Sequence, residues 1–244
     1  MKHTRNKGPY LTREESRLVD QIAIEQYGLS GLVLMENAGR GVVDRLERIG
    51  IDGPIAICCG KGNNAGDGFV IARHLLLRGH KAIVHCFAPP SELTGDAAVN
   101  FSILEKSNAP IVVQSDSFDD AELIVALEKS DWIIDALLGT GAKGAPRPPI
   151  DQVVRLINEQ KTSRGARVLA IDLPSGLDCE TGEASPTTIQ ADATCTFVTA
   201  KTGFMNPEAA QYVGDLYVLD IGAPRKVIED VLRKRTELGS LGGH

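Results

Sequence analysis

The chain has 244 residues, 43% of them hydrophobic, and a formal net charge of −6. That apolar content supports a sizeable core and excludes global disorder, while the acidic balance argues against a general nucleic-acid or membrane-surface binder. No apolar run approaches a membrane span, and the N-terminus lacks the apolar centre of a secretory signal.

In chain order, the basic start "MKHTRNK" reads as a solvated tail. Residues 12–27 have helical periodicity, with Leu18, Ile22 and Ile24 on or near one face, and Thr12 with Glu15 fits a capping box. A second helix is predicted over 31–49. "PIAICCG" then reads as a strand, "GDGFVIARHLLLRG" as a helix, "KAIVHCFA" as a strand and "GDAAVNFSILEKS" as a helix. The alternation continues with the strand "APIVVQ", the helix "DDAELIVALEKS", the strand "DWIIDALLG" and the helix "PIDQVVRLINEQK". "ARVLAIDLP", "ATCTFVTA" and "DLYVLDIG" close the series as strands.

Strands alternating with helices of about 10–15 residues predict βαβ units around a mostly parallel sheet. The predicted fold is α/β: a Rossmann-like three-layer αβα sandwich with an N-terminal helical arm. It is read as one domain over 1–244, with the arm at 1–50, the core at 51–230 and a tail free to fray at 231–244. The cysteines are Cys58, Cys59, Cys86, Cys179 and Cys195. Adjacent Cys58 and Cys59 project to opposite faces of a strand and cannot chelate as a pair, so reduced thiols in a cytoplasmic protein are the simplest account.

In such a fold, ligands bind outside the carboxyl ends of the strands, which puts three loops forward. In "GKGNNAGDG", Gly60, Gly62 and Ala65 match a dinucleotide-binding spacing, and a helix starting near Gly66 would offer free N–H groups to phosphate. The usual ribose-binding carboxylate about 20 residues on is missing, and without GK[ST] the loop is no P-loop. Asn63, Asn64 and Asp67 are therefore turn-formers or ligand groups, and Asp67 is alternatively a helix cap.

In "DALLGTGAKGAPRPP", Asp135 ends a strand, and Gly139, Gly141 and Gly144 would let backbone approach a ligand closely. Asp135 either caps the following turn or serves the site. Lys143 and Arg147 are solvated charges or phosphate contacts. In "AIDLPSGLDCETG", Asp172 leaves an apolar strand and Pro174 fixes the chain after it. Asp172 has a structural or a functional reading, while Asp178 and Thr181 read as turn-formers.

Together with "LMENAGR" near the start and "VLDIGAP" near the end, these three loops resemble, in order, the YjeF N-terminal domain family, the NAD(P)H-hydrate epimerases. In relatives the first loop reads NNGGDG; here Ala65 replaces a glycine, which matters only if the backbone there has positive φ. The resemblance implies a substrate of NADH or NADPH hydrated at C6 of the nicotinamide ring (NADHX, NADPHX), whose R and S forms the enzyme interconverts as metabolite repair. It implies nucleotide contacts from Asn63, Asn64, Ala65, Gly66 and Asp67, and from Gly139, Thr140, Gly141, Ala142, Lys143, Gly144 and Ala145. Asp172 would meet the reacting end and transfer the proton. Lys143 and Lys201 are secondary candidates, for which solvation is the competing reading.

By the same resemblance, Asn64, Asp135 and Ser175 would bind a potassium ion, K+; their oxygens are hard donors, unsuited to a soft metal. The resemblance further implies a homodimer, whose interface the arm helices could supply, and a separate NAD(P)H-hydrate dehydratase, since the sequence stops short of the second domain that many bacterial relatives carry. Two rivals remain at this stage. One is a non-catalytic nucleotide-binding or protein-interaction scaffold, since a mammalian family member is known as an apolipoprotein A-I-binding protein. The other is an ordinary NAD-dependent oxidoreductase.

Overall fold

The computed structural model describes residues 8–114 and 120–241; the basic start at 1–7 and the last three residues lie outside the described residues. In chain order the elements are β1 (Tyr10–Leu11), α1 (Arg13–Glu25), α2 (Gly31–Ile49), β2 (Ile55–Cys59), α3 (Asn63–Leu77), β3 (Ala82–Cys86), α4 (Gly95–Lys106), β4 (Ile111–Val113) and α5 (Asp120–Glu128). They continue with β5 (Trp132–Ala136), α6 (Ile150–Arg164), β6 (Arg167–Ile171), β7 (Ala193–Phe197), β8 (Ala200–Lys201), α7 (Ala210–Val213), β9 (Asp215–Leu219) and α8 (Arg225–Leu241).

Period-2 alternation in the strands sets the layers. In β2, Ile55, Ile57 and Cys59 face a core shared with Val43 of α2, Phe69 of α3 and Phe101 of α4. Ala56 and Cys58 face the opposite core, with Leu127 of α5 and Ile157 of α6. Adjacent Cys58 and Cys59 thus lie on opposite sides of the sheet. Covering both faces requires near-continuous apolar strands, which is the pattern of a buried parallel sheet. The sheet has seven strands in the order β4-β3-β2-β5-β6-β7-β9, and every neighbouring pair is parallel. The αβα sandwich expected from the sequence is the observed architecture.

The order makes β2 and β5 neighbours. From β2 the chain steps outward to β3 and β4, then returns beside β2 and steps the other way through β6, β7 and β9. The carboxyl ends of β2 and β5 therefore flank the topological switch point, where a crevice opens.

The arm departs from expectation in detail. The capping box is present: Thr12 Oγ1 accepts from the Glu15 amide at 3.2 Å, and the Thr12 amide donates to Glu15 Oε2 at 2.8 Å. The buried face of α1 carries Val19, Ile22 and Ala23, whereas Ile24 is 42% exposed. Residues 231–241 of the segment read from sequence as a tail belong to α8, and 242–244 lie outside the described residues. Val227 and Val231, one turn apart, are buried against Leu11, Val19 and Ile22, so an amphipathic stripe holds this helix on the arm. Arg235 clamps the same contact by pairing with Glu15 and donating to the Tyr10 carbonyl at 2.8 Å. Strands β1 and β8, too short to show periodicity, pair in parallel and set Leu11 beside Lys201.

Candidate functional site

The loops after β2 and β5 touch at the switch point. A Cβ on Gly60 would lie 2.2 Å from the Leu137 carbonyl oxygen, so only glycine permits this approach. Helix α3 begins at Asn63, with Gly62 at its N-cap, three residues earlier than the start near Gly66 that the sequence predicts. Asn63 to Asp67 are thus helical, and the helix sorts them. Asn63, Asn64 and Asp67 line a cleft; Ala65 is fully buried in the core, and Gly66 packs where a Cβ would meet Met35 at 2.6 Å. The side-chain positions of Ala65 and Gly66 therefore build the wall rather than face the cleft. Ala65 sits in ordinary helical backbone, so its replacement of a glycine brings no strain. Asp67, past the first turn, accepts no helix-capping hydrogen bond.

The cleft has a volume of about 1340 Å³. Its walls include every residue from Gly139 to Ala145, together with Asp172. Three sequence-distant segments meet there, as their positions at strand ends require. Lys143 and Arg147 are exposed on the wall formed by the glycine-rich segment.

Asp135 and Ser175 lie behind this wall and do not line the cleft. Asp135 is fully buried. Its carboxylate accepts from Ser175 Oγ at 2.6 Å, from the Ser175 amide at 2.8 Å and from the Leu137 amide at 3.2 Å. Burial pushes the Asp135 carboxyl up to about 6, and the Ser175 hydrogen bonds oppose that shift. Ser175 Oγ also accepts from the Leu138 amide at 3.0 Å. Asn64 Nδ2 donates to the Leu138 carbonyl at 2.9 Å, while Asn64 Oδ1 is buried without a hydrogen-bond partner. All three residues thus bind the Leu137–Leu138 turn, and the orphaned amide oxygen is a buried acceptor open to a donor or a cation. An all-oxygen set with one carboxylate and one unpaired amide oxygen fits a hard cation.

At the cleft wall, Asp172 has φ 64°, a left-handed backbone that a non-glycine residue rarely adopts. Its Oδ1 lies 2.9 Å from Lys201 Nζ and accepts from Thr196 Oγ1 at 3.2 Å. Lys201 is 3% exposed, which overturns the reading of it as a solvated lysine. Its short strand carries it inward, and its ammonium also donates to the Phe197 carbonyl at 3.3 Å. Val198, also on the cleft, has φ 65°; a β-branched residue there is a genuine outlier, and such strain concentrates at functional sites.

Two more carboxylates share this end of the cleft. Burial pushes Asp67 well above the usual carboxylate range, with the charges of Asp172 and Asp20 adding to the effect. Asp20, from α1, is raised to about 6 by the protein around it and by Asp172, against the opposing charge of Lys201; it remains exposed to cleft water. Sequence reasoning missed Asp20 and Arg17. The available signal was spacing: Ser16, Asp20 and Ile24 recur every four residues and form the stripe of α1 that lines the cleft.

Residues 31–203 match the family model of the YjeF-related protein N-terminus. The chain is 42% identical to an NAD(P)H-hydrate epimerase of Pirellula staleyi, covering 90% of this chain and 95% of that one. A second NAD(P)H-hydrate epimerase, from Rhodopirellula baltica, is 39% identical, covering 90% of this chain and 87% of the relative. A bifunctional NAD(P)H-hydrate repair enzyme of Moorella thermoacetica is 38% identical, and here the match covers 89% of this chain but 41% of the relative. In three dimensions the crystal structure of yeast ynu0 superposes with a TM-score of 0.77 at 23% identity, covering 92% of this chain and 93% of the yeast chain, and so agrees in fold. With the motif-bearing loops gathered on one cleft and most of the chain matched, the protein belongs to the YjeF-related protein N-terminus family.

Proposed function

We propose that the cleft binds the hydrated forms of NADH and NADPH and interconverts their R and S epimers at the hydrated ring carbon. The observation that carries this reading is the convergence of Asn63, Asn64, Asp67, the segment Gly139–Ala145 and Asp172 on one cleft at the switch point. Relatives at 39–42% identity carrying the name of this epimerase support it. The N-terminus of α3, with free backbone N–H groups and no side-chain cap, suits a phosphate. Glycines in the facing segment let backbone approach the nucleotide.

The chemistry follows from the substrate. The ring nitrogen lone pair expels the C6 hydroxyl as an acid protonates it, which leaves a planar iminium and water. Water then adds to the other face and returns a proton to a base. Asp172, held in place by Lys201 and Thr196, is the proton-transfer group at the reacting carbon. A positioned acid–base contributes about 10²–10⁴-fold in rate.

Asn64, Asp135 and Ser175 would hold a potassium ion. When bound, it would supply positive charge behind the Leu137–Leu138 turn and fix the two loops against each other. The homodimer, the separate dehydratase and the cytoplasmic location belong to the same proposal. The five free, buried cysteines suit a reducing compartment.

The test supplies one purified hydrate epimer and follows the other by chromatography, with and without potassium. Interconversion is expected, faster with the ion. A chain that leaves the single epimer unchanged refutes the activity, and rates indifferent to any monovalent cation refute the ion. Gel filtration of the full chain beside a version lacking the arm tests the dimer.

A further inference from the structure

We infer that Asp20, delivered by the N-terminal arm, is a second proton-transfer group of this site and works as the partner of Asp172. The inference rests on the epimerase reading above. Asp20, Asp67, Asp172 and Lys201 come from α1, α3, the end of β6 and β8, and all four line one cleft. The charged groups that face Asp20 are Asp67, Asp172 and Lys201, with Arg17 on its own helix. Three carboxylates stand against one buried lysine, and that lysine is already paired with Asp172. Carboxylates at such a place favour retention of a proton: desolvation opposes ionisation of both Asp20 and Asp67, and for Asp67 the charges of Asp172 and Asp20 add repulsion. Desolvation by the surrounding cleft walls raises the Asp20 carboxyl to about 6, with the Lys201 charge opposing the shift and the Asp172 charge adding to it. Among the described residues no three His, Cys, Asp or Glu side chains are grouped to hold a metal ion.

Two such groups serve epimerisation directly, because the hydroxyl leaves one face of a planar ring and returns to the other. A single carboxylate on one wall reaches one face. In one direction Asp20, as the acid, gives its proton to the C6 oxygen. The C6–O bond breaks with both electrons going to oxygen, water departs, and the N1 lone pair forms the N1=C6 bond. A water oxygen then attacks C6 from the opposite face, the π pair returns to N1, and the water proton passes to the Asp172 carboxylate. The reverse direction exchanges the two roles. Between turnovers the protons re-equilibrate through the cleft water to which Asp20 is exposed.

The experiment compares Asp20→Asn and Asp20→Glu with the native chain. Asp20→Asn keeps the side-chain shape on a solvent-facing position, so its melting temperature should stay within about 2 °C, less than 1 kcal/mol for a chain of this size. Its kcat should fall about 100-fold or more with KM within threefold, and its rate profile should lose one limb near pH 6. Asp20→Glu should recover part of the rate. A carboxyl-carbon NMR titration of aspartate-labelled protein supplies a readout without turnover: one signal titrating above the ordinary aspartate range should vanish in Asp20→Asn. An Asp20→Asn enzyme with native kcat and pH profile overturns the inference, as does an Asp20 signal that titrates as an ordinary surface aspartate. Failure of the native chain to epimerise any hydrate instead sinks the functional reading, and the NMR result still decides whether Asp20 holds a displaced proton.

Discussion

Lys201 Nζ and Asp172 Oδ1 form an ion pair of 2.9 Å whose side chains are 4% and 13% exposed. The pair joins the end of β6 to β8, and through the pairing of Leu11 with Lys201 it also joins the arm to the site. Removing one partner leaves the other charge inside the protein. Lys201→Met is therefore expected to cost about 3 kcal/mol, the low end of the range for breaking a buried pair, because the cleft lets some water reach Asp172. Urea denaturation measures this. Adding Asp172→Asn to Lys201→Met should restore part of the stability but none of the activity. Asp172→Asn alone should lower epimerisation about 10²–10⁴-fold in a folded protein. A single-mutant rate near that of the native chain would remove Asp172 from proton transfer.

Gly60→Ala tests the contact between the two loops. Its Cβ would meet the Leu137 carbonyl oxygen at 2.2 Å, and neither backbone has a flexible end to move aside. Overpacking of this kind costs about 1–3 kcal/mol, which lowers the melting temperature by roughly 2–12 °C. Gly41→Ala, within α2, is the control, since its Cβ would make only an ordinary contact 3.7 Å from Leu219. Equal melting temperatures for the two variants would show that the loops do not touch as described.

His85, on β3, is 2% exposed and neither ring nitrogen has a hydrogen-bond partner. Burial lowers it from 6.5 to about 4. The unfolded chain therefore binds this proton more tightly than the fold does, and acidification through that window favours unfolding. Stability should be intact above pH 6.5 and decline toward pH 4, by about 3 kcal/mol from this group. His85→Leu should flatten that part of the stability–pH curve. An unchanged slope in the variant would assign the acid sensitivity to other groups.

Asn64 Oδ1, buried without a hydrogen-bond partner, makes the ion proposal testable without turnover. A ligand at 100 times its Kd stabilises a fold by about 2.7 kcal/mol. Potassium should therefore raise the melting temperature relative to a large organic cation at equal ionic strength. Asn64→Leu should remove most of that increment. A potassium effect of the same size in Asn64→Leu would place the ion elsewhere.

Truncation after Pro224 removes α8 and uncovers Leu11, Val19 and Ile22. Each exposed side chain of this size forfeits about 1.5–3 kcal/mol of burial. Amide exchange in α1 should accelerate strongly while the central strands remain protected, because the sheet has its own two cores. Uniform acceleration throughout the chain would show that arm and core unfold together.

The fold and most of the site's components were legible in the chain. Alternation of strand and helix runs dictated a parallel sheet, since apolar strands such as Ile55–Cys59 need cover on both faces. The placement of Asn64, Asp135 and Asp172 at or just beyond strand ends followed from that pattern, because local periodicity carries this information. Tertiary structure alone decided the rest. Helix α3 starts at Asn63, so geometry rather than residue type sends Asn64 and Asp67 to the cleft and Ala65 to the core. Asp135 and Ser175 lie behind the glycine-rich wall because they bond each other and the Leu137–Leu138 turn. Lys201 meets Asp172, and Asp20 joins them, through contacts between segments far apart in sequence. No spacing along the chain encodes such meetings; they arise when α1, the end of β6 and β8 come together around one cleft.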